Sequence, residues 1–292
     1  MISKATDEEI RRRILSFQRN EITEHKFYAA LSKRVEDKNS ELLRKISEDE
    51  LRHYHEWKKY TGVDATYSRL MFFKYLAFSK IFGLMFAIKL MERGEKEAEE
   101  VYSQVSKTFP KAREIMKDEE EHENILIGMI DEERVKYVGS LVLGVNDALV
   151  ELTGTLAGLT LTLQINRLVG IAGIIMGLAA SLSMSASEYL SQKSEKGGLN
   201  PLRAALYTGV AYILAVIMLT TPYLIVDDYR IAIAIMLSAM TLMVFILTFF
   251  ISVVKEVSFK KMLLEMILIS LGVAAISFII GWIARFLFNI EV

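Results

Sequence analysis

The second half of the chain is a succession of five long apolar stretches, at about 138–164, 168–190, 203–226, 231–254 and 262–288. Each has 23 or more residues. At a helical rise of about 1.5 Å per residue, roughly 20 residues cross a hydrocarbon core of about 30 Å. None of the five carries the polar face that a helix on the surface of a soluble bundle needs. Charge divides the chain at the same place: 18 charged residues fall in the 155 from Val138 onward, and 53 in the first 137. Few prolines and many Leu, Ile, Ala, Glu and Lys complete the case for helix throughout. The expected fold is all-α, with a solvated N-terminal domain over 1–137 and a five-span membrane domain over 138–292.

Composition removes several function classes. A net charge of −1 with no strongly basic half argues against a nucleic-acid partner. With no cysteine there are no disulfides, thiolate zinc sites, iron–sulfur clusters or rubredoxin-type electron-transfer modules. The N-terminus, MISKATDEEIRRRI, is charged and lacks the early apolar core of a secretory signal. Lys193, Lys196 and Arg203 lie between spans two and three, and Lys255, Lys260 and Lys261 between spans four and five. The opposite side offers only Arg167, Arg230 and Arg285. This asymmetry predicts a cell-membrane protein with its N-terminal domain in the cytoplasm and its C-terminus outside. Tyr137, Tyr189, Tyr207, Tyr223, Tyr229 and Trp282 stand near span ends, where interfacial aromatics collect.

Acidic residues inside the lipid zone point to function. Span one, VGSLVLGVNDALVELTGTLAGLTLTL, carries Asp147 and Glu151 four residues apart and so on one helix face. Asp147 lies about 14 Å into the span, close to the midplane. Span two ends LAASLSMSASEYLSQKSE, which puts Met184 and Glu188 four apart with Glu188 near the cytoplasmic mouth. A carboxylate at membrane depth costs about 2.5–3.5 kcal/mol or more, so two in one helix demand a partner or a role. Oxygen ligands with a thioether suit a divalent first-row metal. The plainer alternative is that Asp147 bonds a neighbouring helix and Met184 fills space. Small residues on the same spans, among them Gly144, Gly154, Gly158, Gly173 and Gly177, allow the close helix approach that a polar path requires.

The N-terminal domain reads as four long helices, at about 7–35, 39–61, 67–105 and 108–134. The third allows a short separate helix at its start, because 65–91 is long and apolar. Lys74, Lys80 and Lys89 interrupt that stretch, so it is read as a bundle helix with one face against the membrane or a partner subunit. Helix two carries Glu50-Leu51-Arg52-His53 and helix four carries Glu119-Glu120-Glu121-His122. Glu-x-x-His places carboxylate and imidazole one turn apart on one face. Two such helices, with one Glu from each of two others, make a di-iron carboxylate site in a four-helix bundle. Glu21 precedes Glu50 by 29 residues and Glu92 precedes Glu119 by 27, so the half-repeat keeps nearly one pitch. The competing reading is a solvated charged face, but two of only four histidines stand in this register. Glu24 is an alternative to Glu21, and Glu95 is available as an extra ligand. His25 and His55 lack the spacing. Tyr28 and Tyr102 are placed either to hydrogen-bond ligand carboxylates or to pack as core.

Two resemblances rest on these residues. GVNDALVELTGTLAGL followed by SLSMSASEYLSQKSE resembles the vacuolar iron transporter family over spans one to five, most specifically in the first two. That resemblance implies that Asp147 and Met184 line a metal path, that Glu188 matches the Glu of a Glu-Tyr-Leu motif, and that a homodimer exchanges Fe²⁺ for protons. The chain departs from plant and yeast members in having only a short loop, 191–202, after span two. It also has Met176 near a point where some members place a glutamate. Residues 10–134 resemble the ferritin-like superfamily, especially rubrerythrin, through Asn20-Glu21, Tyr28, Glu50-x-x-His53, Glu92-x-x-Glu95 and Glu119-x-x-His122. The whole chain is similar to the erythrin–vacuolar iron transporter group, also called membrane-bound ferritin.

Together these readings predict a transporter that moves Fe²⁺, or Mn²⁺, out of the cytosol by proton antiport. Its path would run through Asp147, Glu151, Met184 and Glu188. A cytosolic di-iron centre at Glu21, Glu50, His53, Glu92, Glu95, Glu119 and His122, in which Mn or Zn can substitute, would bind, oxidise or sense iron. The alternative is an enzyme, a membrane-anchored di-iron peroxidase or ferroxidase with the spans as anchor.

Overall fold

The structure is a computed structural model and describes residues 2–35, 38–96, 109, 111–129, 137–195 and 198–287. The chain divides into two compact units, Met1–Asp131 and Glu132–Val292. Among the described residues every regular element is a helix.

The first unit contains α1 (Ile2–Ser32), α2 (Lys38–Thr61), α3 (Arg69–Ile81), α4 (Leu84–Lys96) and α5 (Lys111–Met129). Apolar residues at helical spacing on α1, α2 and α5 form two separate clusters. Ile14 and Phe17, Trp57, and Ala112 and Ile115 make one. Phe27, Tyr28 and Leu31, Leu43 and Ile46, and Leu126 belong to the other, which Tyr75 of α3 and Ala87, Ile88 and Met91 of α4 complete. Going up the chain, α1 and α5 pass from the Trp57 cluster to the Phe27 cluster, while α2 passes the opposite way. So α2 runs antiparallel to both. Between the two clusters, each of these helices carries one buried or half-buried acidic turn: Glu21, then Glu50 and His53, then Glu119 and His122.

After α2 the chain crosses back along α1. Gln18 donates to the Val63 carbonyl at 2.8 Å and accepts from the Thr61 hydroxyl at 2.7 Å, while the Ser68 amide donates to Thr23 at 3.0 Å. The Ser68 side chain then caps α3 by accepting from the Met71 amide. The third helix expected over 67–105 is broken. Gly83 takes φ +94°, a left-handed conformation open to glycine, and separates α3 from α4. At 13 residues each, neither piece reaches spanning length. Residues 97–105 of the expected helix lie outside the described residues.

The second unit contains α6 (Val138–Leu163), α7 (Asn166–Ser194), α8 (Pro201–Ile225), α9 (Tyr229–Val254) and α10 (Phe259–Leu287). All five are long and apolar enough to cross a bilayer. This is the fold of an integral membrane protein. Helix α6 is central and touches each of the other four, α7 pairs closely with α8, and α10 lies along α6. The contacts are backbone-close, as expected where lipid removes the hydrophobic drive between helices. A Cβ at Gly144 would strike the Thr208 carbonyl, and one at Gly281 the Gly158 carbonyl. Thr162 donates to the carbonyls of Gly158, at 3.0 Å, and Gly281, at 3.1 Å, tying α6 to α10.

Because the obstacle at Gly281 is backbone, no side-chain rotation relieves it. We expect Gly281→Ala to lower stability in detergent by about 1–3 kcal/mol through overpacking. Gly272→Ala on the same helix, where a Cβ meets nothing within 4 Å, should be neutral or slightly stabilising, because it only raises helix propensity. Denaturation midpoints of the two variants check this, and equal midpoints would contradict the close approach.

Candidate metal centre and membrane path

In the N-terminal unit, the acidic turns of α1, α2 and α5 meet in one buried layer. One ligand-type atom from each of Glu21, Glu50, His53 and Glu119 lies within 4.8 Å of the others, a grouping that could hold a metal ion. His53 Nδ1 is 2.9 Å from Glu119 Oε1, 3.5 Å from Glu50 Oε2 and 3.8 Å from Glu21 Oε2. His122 Nδ1 is 3.1 Å from Glu50 Oε1 and 3.6 Å from Glu119 Oε2. The imidazole rings face each other with centroids 5.8 Å apart. Among the described residues, Glu21 Oε2, Glu50 Oε2, His53 Nδ1 and His122 Nδ1 are buried without a hydrogen bond of proper geometry. Buried polar atoms are rarely left so, and four converging on one another are what a cation would satisfy.

An outer ring orients the histidines. His53 Nε2 lies 3.2 Å from Asp118 and His122 Nε2 lies 3.3 Å from Asp49. An ionised carboxylate only accepts, so each Nε2 carries hydrogen and each Nδ1 faces inward. The guanidinium of Arg52 reaches Asp49 at 2.8 Å and Asp118 at 2.9 Å, joining the two braces. Burial opposes charge on these aspartates, but Arg52 and the facing imidazoles outweigh it and hold both below the ordinary carboxylate range. Trp57 Nε1 donates to Glu21 Oε1 at 2.9 Å and sets that carboxylate from the apolar side. A cavity of about 190 Å³, lined by Asp49, Arg52, Asp118, Glu121 and His122 among others, opens beside the layer. None of these outer residues was singled out from sequence. The signal was there for two of them, since an Asp precedes the Glu in both Glu-x-x-His motifs.

Electrostatics in the layer are set by mutual pairing. Burial disfavours charge on His53, but Glu119, Glu21 and Glu50 outweigh it and hold its pKa well above the histidine range. His122 is pushed up to about 10, with Glu119 and Glu50 overcoming burial. Burial, with Glu119 and Glu50 adding to it against His53, pushes the Glu21 carboxyl well up. Glu50 goes the other way: burial is outweighed by the close approach of the His122 and His53 imidazoles, and its pKa falls below the usual range. A metal ion entering this layer must therefore displace protons from raised-pKa imidazoles. Loading with Mn²⁺ should release protons in weak buffer and tighten from about pH 6 to about pH 8. Affinity independent of pH would exclude the imidazoles as ligands. Asp118→Asn, which loosens His53 while leaving the inner carboxylates in place, should weaken metal binding by about 10–100-fold, measured by titration of the purified chain.

The remaining sequence candidates are distributed as follows. Glu92 and Glu95 are on α4, immediately after Met91 of the Phe27 cluster, but their side chains lie outside the described residues, as does Tyr102 altogether. Glu24 is buried on α1. Tyr28 is buried in the Phe27 cluster. His25 turns to α2, its Nδ1 2.8 Å from the Ser47 carbonyl, and His55 is exposed.

In the membrane unit, Asp147 is half-buried on α6 beside the buried Ala148 and Leu149. Glu151, one turn further, is exposed on the surface of the unit, and the fully buried Tyr212 of α8 donates to it at 3.1 Å. No Lys or Arg forms an ion pair with either carboxylate among the described residues. Asn146 Oδ1, next to Asp147, is buried with no hydrogen-bond partner among the described residues. On α7, Met184 packs half-buried against the core of the unit. Glu188 is buried and accepts from Ser140 of α6 at 2.7 Å and from Gln192 at 3.2 Å. Glu151 and Glu188 are thus held by hydroxyl and amide donors instead of counter-charges among the described residues. Ser140 is also one of the small residues of span one, but its bond to Glu188, and the roles of Tyr212 and Gln192, have no signal in spacing.

Residues 138–199 match the family model VIT1, of the VIT family. The matched segment takes in α6 and α7 with all four membrane-path candidates, Asp147, Glu151, Met184 and Glu188. It ends before α8 and leaves the N-terminal unit uncovered. Comparison with curated proteins and with solved structures returns no match.

Proposed function

We propose that the chain is a metal-ion transporter that moves Fe²⁺, or Mn²⁺, out of the cytosol through a path along α6 and α7. The observation that carries this is the Asp147–Glu151 pair, set deep in a span inside the VIT-matched segment and without a basic partner among the described residues. Two carboxylates at that depth form a site of negative charge that a passing divalent ion neutralises. When the ion leaves, protonation is the remaining way to neutralise them, which favours proton antiport. Met184 adds a soft ligand on the neighbouring helix, and Glu188 offers a carboxylate nearer the loop 191–202. The basic loops orient the N-terminal unit to the cytoplasm and the C-terminus outside. A homodimer is favoured by the exposure of Glu151: a carboxylate at lipid depth needs cover, which a second copy can supply.

In this reading residues 1–137 form a ferritin-like di-iron domain and residues 138–292 a vacuolar iron transporter-like domain. The antiparallel run of α1, α2 and α5 and the return crossing after α2 fit a bundle with one crossover connection. The four orphaned buried atoms fit a metal pair held by Glu21, Glu50, His53, Glu119 and His122, with Glu92 and Glu95 as further ligands. Bound iron would supply redox chemistry toward oxygen or peroxide. The chain's own residues position and desolvate the ligands, and Asp49, Asp118 and Arg52 fix the imidazoles. That layer also favours a second reading, a membrane-anchored ferroxidase or peroxidase.

Metal flux into proteoliposomes under a pH gradient tests the proposal. Uptake of Fe²⁺ or Mn²⁺ that drives counter-movement of protons is expected. Vesicles impermeable to both ions would overturn it.

A further inference from the structure

Helix α3 buries one apolar face and exposes another. Met71, Phe72, Tyr75 and Leu76 turn into the Phe27 cluster, where the Tyr75 ring packs 5.7 Å from Phe27. On the other side Leu70 is 81% exposed, Phe73 62% and Ile81 67%, with Ala77 exposed between them. Only Tyr60 and Val63, both less exposed, join these three as large exposed hydrophobics among the described residues of the first unit.

At about 100° per residue, Phe73, Ala77, Leu70 and Ile81 fall within an arc of about 80°. Exposed Arg69 and Lys80 border that arc on one side and exposed Lys74 on the other. The sequence RLMFFKYLAFSKI has no acidic residue. An apolar stripe with cationic margins is the design of a helix lying in a bilayer interface, rings and aliphatic chains in the acyl boundary and ammonium groups among the headgroups. Thirteen residues are too few to cross.

We propose that α3 is a membrane-surface helix, docking the N-terminal unit on the bilayer through Leu70, Phe73, Ala77 and Ile81, with Arg69, Lys74 and Lys80 engaging anionic lipid headgroups. Charge favours lipid over a second copy of this chain. Two copies apposed through the stripe would bring like cationic margins together, whereas anionic headgroups neutralise them. Covalent connection favours it as well. The N-terminal unit and the five spans belong to one chain, so α3 meets a lipid surface at high effective concentration.

The absence of cysteine makes single-site labelling direct. The full-length chain carrying Phe73→Cys or Ala77→Cys, with Arg44→Cys on the exposed side of α2 as control, is labelled with a fluorophore. It is then reconstituted in phosphatidylcholine vesicles with and without phosphatidylglycerol, and quenched with shallow spin-labelled lipid. Labels at 73 and 77 should be quenched and the label at 44 should not, with quenching stronger when phosphatidylglycerol is present. Adding R69E, K74E and K80E should reduce the docked-to-undocked ratio about fivefold or more for each charge altered. Quenching at 73 and 77 no greater than at 44, or insensitive to both lipid charge and the reversals, would overturn the proposal. So would energy transfer between labels at 73 without lipid quenching, which would put a second copy on this face.

Discussion

Replacing Asp147 with Asn should reduce Fe²⁺ or Mn²⁺ flux in proteoliposomes to the background of empty vesicles, with the metal content of the N-terminal unit unchanged. The substitution keeps shape and removes charge. Asp147 is about 14 Å into α6 by helical rise, where the cost of dehydrating a divalent ion must be met by ligand charge. Among the described residues no Lys or Arg is paired with it, so the amide would release no counter-ion to mask the loss. Glu151, held by Tyr212 at 3.1 Å, would remain as one carboxylate facing a doubly charged ion. An amide also cannot take the proton that antiport requires on the return step. The measurement is metal-specific uptake with an imposed pH gradient, alongside metal analysis of the same preparation. Undiminished flux would remove Asp147 from the path.

A second large effect is expected at the other site. Glu50→Ala should strip the N-terminal unit of metal and lower its thermal stability. Glu50 is buried between both imidazoles, with Oε1 3.1 Å from His122 Nδ1 and Oε2 3.5 Å from His53 Nδ1. Its removal leaves two imidazoles of raised pKa in a buried layer with less negative charge to hold them, and breaking a buried pair in this way costs about 3–5 kcal/mol. Metal content by mass spectrometry and the unfolding midpoint of the full-length chain check the two parts. A variant that keeps its metal would show that Glu50 serves only to neutralise the histidines. Flux in the same variant separates the functional readings. A plain transporter keeps its flux, a gated one loses its regulation, and an enzyme anchored by the spans has no flux to lose and loses turnover.

Much of the inner Glu/His layer was legible because helical geometry converts sequence spacing into a shared face. Glu50 with His53 and Glu119 with His122 are one turn apart, and Glu21 lies one helix and one loop earlier; the structure brings all five into one layer. The outer brace was less legible. That Asp118 would reach His53, and Asp49 reach His122, depends on how α2 and α5 face each other, and Trp57 meets Glu21 only because α1 and α2 run antiparallel. A short separate helix at the start of 67–105 was already allowed for, but its end at Gly83 was not located, since a single glycine is compatible with helix until its φ is known.

In the membrane unit, length and apolar character alone specify spans, because a helix is the one open-chain structure that satisfies its own backbone in lipid. Five spans, an acidic pair on the first and a two-part chain therefore follow from the order of residues. Which helix is central, that Gly281 closes on Gly158, that Tyr212 holds Glu151 and that Ser140 holds Glu188 do not. Those contacts join residues dozens to more than a hundred positions apart, and packing between whole helices decides them, whereas periodicity describes only what one helix does by itself.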